Sequence, residues 1–143
     1  MNKVEFINSL KNINGIVSVC RFGSYGTKEW IRDRSDIDLA VVVGPNVNFM
    51  DTINIEDEVN TLCIDFYKYD KIHLTFVHYS DFYNKFARIA VDSDEQYIVN
   101  DDLWFDFMHY VLKYARNNRN FEKTLKIDEQ YSYFGGIIDE SIL

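Results

Sequence analysis

Residues 21–43 read RFGSYGTKEWIRDRSDIDLAVVV. A Gly-Ser pair closes one apolar stretch, and Ser-Asp-Ile-Asp opens the next. Side chains two apart on a strand point the same way. Asp36 and Asp38 therefore share one face, and Ile37, Leu39 and Val41 share the other, which must be buried. Two carboxylates about 7 Å apart on one strand repel unless a cation lies between them. A hard divalent ion such as Mg²⁺ takes oxygen ligands and fills its other positions with water or phosphate. That is half of a two-metal phosphoryl-transfer site. Gly23 lets the backbone approach a ligand closely. Ser24 adds an N–H and a hydroxyl suited to phosphate oxygens.

Outward from this stretch, the pattern is helix, strand, loop, strand, helix, strand, helices. Val4, Ile7 and Leu10 predict a helix over 3–12, and Asn14-Gly15 a turn. Strands are expected at 16–22 and 37–43, the second nearly continuous in apolar residues and so covered on at least one face. Ile55, Val59, Leu62, Cys63 and Phe66 predict a helix from Asn54 to about Tyr69. IHLTFVH, 72–78, alternates as a third strand. Helical spacing returns at 81–89, a short extended piece at 96–99, and a helix from Leu103 to about Asn117. The fold class expected is α/β (α+β), a small mixed sheet with helices packed on one face and a C-terminal helix. One domain over 1–127 is expected, with 128–143 as a loose or partner-docking tail.

The 143 residues carry a net charge of −8. That argues against non-specific nucleic-acid binding, which needs clustered Lys and Arg. No apolar run approaches the ~20 residues of a membrane-spanning helix, and the polar N-terminus lacks a signal-peptide core. Cys20 and Cys63 sit in apolar segments and read as buried free thiols. A cytoplasmic protein with no membrane partner is the expectation. No His/Cys cluster has zinc spacing, and no Walker loop or Ser-His-Asp elbow appears.

Gly23-Ser24, an eleven-residue spacer and Ser35-Asp36-Ile37-Asp38-Leu39 resemble the signature of the nucleotidyltransferase superfamily that includes DNA polymerase β. The order of elements is most similar to its minimal nucleotidyltransferases, many of them paired with HEPN-type toxins. The distinctive match covers about 16–43, and FARIAVDSDEQYIVNDDLWFDF (86–107) is a weaker echo. The resemblance implies Mg²⁺, with Mn²⁺ as a substitute, held by Asp36 and Asp38. It implies ATP or another nucleoside triphosphate whose phosphates meet Gly23 and Ser24. It implies transfer of a nucleoside monophosphate, AMP above all, to a hydroxyl of a protein, RNA or small molecule, with release of pyrophosphate.

The family places a third acidic residue on the third strand. Strand parity puts His73 at that place. Asp70 has the wrong parity, and Asp65 falls on the preceding helix. A histidine serves as a general base near neutral pH but is a poor Mg²⁺ ligand. Two readings stay open: a transferase with altered metal use, or a nucleotidyltransferase-fold antitoxin that acts on a HEPN-type partner by contact. Lys28, Arg32 and Arg34 in the spacer could meet phosphates or simply be solvated. The aromatic run Trp104, Phe105, Phe107, Tyr110 and Tyr114 is too wide for one face, so part of it suits a homo-oligomer or partner surface.

Overall fold

The computed structural model describes residues 1–132, with side chains to Asn118. Its element order is α1 (Lys3–Lys11), β1 (Ile16–Phe22), β2 (Ile37–Val43), α2 (Phe49–Tyr67), β3 (Ile72–His78), α3 (Lys85–Asp92), β4 (Gln96–Ile98) and α4 (Asp101–Ser132). The strands form one sheet in the order β3-β2-β1-β4. β1 runs antiparallel to β2 and β4, whereas β2 and β3 are parallel. The sheet is mixed, as expected. The segment of the expected tail beyond Ser132 lies outside the described residues.

The helices cover both faces of the sheet rather than one. On one face α1 and α2 bury Phe6, Leu10, Val59 and Cys63 against Ile37, Leu39, Val41 and Val43. Phe6 stacks on Phe66 with ring centroids 4.2 Å apart, and Tyr97 meets both rings edge-on. On the other face α3 and α4 bury Ala87, Ala90, Trp104, Phe107 and Val111 against Val17, Cys20, Ala40 and Val42. Small alanines let α3 lie close to the strands. This second layer explains LAVVV: β2 is a central strand covered on both sides, so neither parity carries a polar residue after Asp38. Each large aliphatic side chain buried this way contributes about 1.5–3 kcal/mol.

Helix limits also differ from the sequence expectation, for local reasons. α2 begins at Phe49, five residues before Asn54, because Asn48 and Asp51 form a reciprocal capping box. It ends at Tyr67, and the capping residue Lys68 takes a left-handed conformation. α3 begins after Asn84, whose side chain accepts from Phe86 N–H. α4 runs to Ser132, past the expected end near Asn117 and into the segment expected as tail. No helix among the described residues is long and apolar enough to cross a membrane.

Candidate functional site

Topology brings three strand ends together. β1 ends at Phe22, opposite Asp38 near the start of β2, and Asp38 is opposite His73 near the start of β3. The turn after β1 therefore lies beside the carboxylates that open β2. Gly23 adopts φ +78°, and a Cβ placed there would stand 2.5 Å from Asp38 Oδ2. Only a glycine gives the turn this conformation while leaving the carboxylate its room.

Asp38 is half-buried and Asp36 exposed. Burial pushes the Asp38 carboxyl above the usual carboxylate range; the imidazole of His73 opposes this, and the charge of Asp36 adds to it. His73 Nδ1 lies 3.3 Å from Asp38 Oδ1. His73 thus stands, exposed, beside the carboxylate near the start of β2 and β3. Asp70 precedes β3 and is exposed. Asp65 lies on α2 and pairs with Lys68 at 3.2 Å.

The donor set suits one hard cation. Two carboxylates of like charge stand two residues apart, the charge of Asp36 acts on Asp38, and a bound cation would relieve their repulsion. No group of three or more His, Cys, Asp or Glu converges as a metal cage among the described residues. Asp36 and Asp38 would thus hold Mg²⁺ with its other positions open to water and phosphate oxygens. For a second cation the residues do not fit, because an imidazole stands where a further oxygen donor would be needed.

Residues that the motif did not flag hold the loop 23–36 in place. Trp30 Nε1 donates to Asp36 O at 3.1 Å. Trp30 packs edge-on against Tyr25 and Tyr69, with both centroid distances 5.0 Å. The Tyr69 hydroxyl donates to Ser35 O at 2.5 Å and accepts from Asp33 N–H at 3.0 Å. Lys71 Nζ donates to Asp33 O, so the start of β3 is tied to the same loop. Arg32 lies over the Tyr69 ring, 5.5 Å from its centroid. On the other side, Arg21 donates to Tyr25 O and pairs with Asp94 at 2.8 Å and Glu95 at 2.6 Å. Thr27 Oγ1 and N–H both donate to Ser24 O, fixing the turn that presents Ser24. Beside Gly23 a cleft of about 440 Å³ is lined by Gly26, Thr27, Ile89 and Ser93. The aromatic content of EWIRDRS and YKYDK was the available signal for this support, but their contacts span more than thirty residues of sequence and no periodicity reveals them.

Comparison with known proteins bears on the family and the fold. The family described as nucleotidyltransferase domain matches residues 3–126. No curated protein matches the chain. Among solved structures, a crystal structure described as a mutant of the toxin–antitoxin MntA-HpeT is similar, with a TM-score of 0.57 at 15% identity. The alignment covers 91% of this chain and 99% of that one. At this identity the likeness speaks to the fold.

Proposed function

The chain belongs to the nucleotidyltransferase domain family, and from that premise we propose that it transfers a nucleoside monophosphate from a nucleoside triphosphate to a hydroxyl group. The observation that carries the reading is the close approach of Gly23 to Asp38: the turn after β1, which borders an open cleft, backs directly onto a candidate metal ligand. Main-chain N–H groups at Gly23 and Ser24 bind and orient the triphosphate. Asp36 and Asp38 would hold the cation. A bound Mg²⁺ would offset charge on the phosphate oxygens. The acceptor oxygen forms a bond to the α-phosphorus. The bond from that phosphorus to the bridging oxygen of the β-phosphate breaks, and pyrophosphate leaves with the electron pair. His73 orients through Asp38: with Nδ1–H directed to the carboxylate, Nε2 is free to take the hydroxyl proton. ATP is the donor and AMP the group transferred in this reading, and a protein hydroxyl is the acceptor.

The test is transfer of label from α-³²P-ATP to a co-purified protein acceptor, with Mg²⁺ and with EDTA. Label that needs Mg²⁺ and is absent with Asp38→Asn supports the reading. Equal label with the variant contradicts it.

A second reading is favoured by one observation, the imidazole in register with Asp38. There the domain works by contact with a HEPN-type toxin partner, in line with the toxin–antitoxin description of the fold neighbour. Silencing of such a partner by the Asp36→Asn, Asp38→Asn double variant would favour it.

A further inference from the structure

β3 is an outer strand: the order β3-β2-β1-β4 gives it a neighbour on one side only among the described residues. The phase of its hydrogen bonds follows from the two ends of the ladder. Ile37 N–H donates to Lys71 O and Tyr79 N–H donates to Val43 O, both at 2.8 Å. The register between them is unbroken from Ile37↔Ile72 to Val43↔His78. In a parallel ladder a residue turns both its N–H and its C=O to the same side. His73, Thr75 and Val77 therefore pair with β2. Ile72, Leu74 and Phe76 turn their N–H and C=O groups to the free edge, and His78 offers its N–H there, while its C=O accepts from Asp81 N–H at 2.9 Å. Proteins usually blunt such an edge with proline, lysine, a bulge or an inward charge. The stretch IHLTFVH has no proline, lysine or acidic residue.

Alongside this edge runs a groove of about 490 Å³, lined by Phe49, Ile53 and Glu56 of α2, Phe76 and His78 of β3, and Asp81. Phe49 is 77% exposed and Ile53 47%. Glu56 and Asp81 have no ion-pair partner among the described residues. At its other end, about 17 Å away at strand rise, the same edge reaches His73, which sits beside Asp38.

The geometry points to β3 as the docking edge for the acceptor: an extended protein segment that adds to the sheet as a fifth strand. This rests on the transferase reading above. Main-chain bonds to Ile72, Leu74, Phe76 and His78 give the affinity, and alternate side chains give the specificity. Directly opposed residues of neighbouring strands project to the same face. A hydroxyl residue across from His73 thus stands on the face of His73 and Asp38. An apolar residue further along fills the groove, and a basic one meets Glu56 and Asp81.

The test uses the full chain, ¹⁵N-labelled, and the peptide acetyl-Lys-Val-Thr-Val-Thr-Val-Lys-amide as probe. The expected result is that the amides of Ile72, Leu74, Phe76 and His78 shift most at millimolar peptide. A version N-methylated at alternate residues binds at least tenfold more weakly. Absence of shifts at those four amides, or equal binding of the N-methylated peptide, overturns the inference. So does a dimer of the chain alone in which the same amides are protected, since a second copy then occupies the edge. Adding Mg²⁺ and ATP separates the two claims by the mass of the peptide. Transfer without the amide shifts overturns strand addition and leaves the transferase reading standing. Amide shifts without transfer support strand addition and count against the transferase reading.

Discussion

His73 Nδ1 stands 3.3 Å from Asp38 Oδ1, across the parallel pair of β2 and β3. The candidate site therefore sets a carboxylate and an imidazole in register, with a second carboxylate two residues upstream. The account expects His73→Gln to lower kcat by about 10²-fold or more, the usual worth of a positioned base, while KM for the nucleotide changes little. Steady-state pyrophosphate release measures both. Loss in KM alone would assign His73 to binding.

Asp36→Asn and Asp38→Asn differ in setting, since Asp36 is exposed and Asp38 half-buried. Both are expected to lower transfer by about 10²-fold or more by weakening the hold on the cation that would offset the phosphate charge. Both are expected to leave far-ultraviolet circular dichroism unchanged. Retained activity in either would remove that residue from the site.

Gly23→Ala is strained twice, by φ +78° and by a Cβ 2.5 Å from Asp38 Oδ2. The backbone term alone costs about 1–2 kcal/mol, seen as a lower urea midpoint. Displacement of the Asp38 carboxylate adds a loss of metal-dependent nucleotide binding. A variant with wild-type midpoint and affinity would show that the turn relaxes freely.

Trp30→Phe keeps the ring and deletes the bond from Nε1 to Asp36 O. It should cost about 0.5–1.5 kcal/mol and weaken nucleotide binding through the loop that carries Asp36. Denaturant titration and calorimetry read the two effects separately.

Burial pushes the thiols of Cys20 and Cys63 up to about 12 from an ordinary 9.0. In the unfolded chain they ionise near the ordinary value. The folded state then holds the more protons, so their contribution is complete below pH 9.0 and is lost as pH rises towards 12. Tyr67 and Tyr97, raised first by burial, act in the same direction. Stability should thus fall on alkaline titration, less steeply in a Cys20→Ala, Cys63→Ala variant. Native protein should resist thiol reagents at neutral pH.

The part of the fold that was legible in the sequence is the part written in short-range pattern. IVSVCRF, IDLAVVV and IHLTFVH each read as a strand because alternation or a continuous apolar run needs no knowledge of distant contacts. Asp36, Asp38 and Gly23 could be singled out from spacing, and the structure places Gly23 against Asp38. The helices of the second layer read from their spacing at 81–89 and from Leu103, but the face they cover did not, because local periodicity does not say on which side of a sheet a helix packs. The early start of α2 was missed because Asn48 and Asp51 cap a first turn whose apolar residues, Phe49 and Met50, are exposed. The support from Trp30, Tyr69 and Lys71 was beyond reach, because it joins the spacer loop to residues flanking β3.

The most direct measurement is calorimetric titration of the protein with ATP, with and without Mg²⁺, beside Asp38→Asn. The account predicts saturable binding that needs Mg²⁺ and disappears in the variant. Binding of equal affinity in the variant, or none in the wild-type chain with ATP, GTP, CTP or UTP and either Mg²⁺ or Mn²⁺, would contradict it.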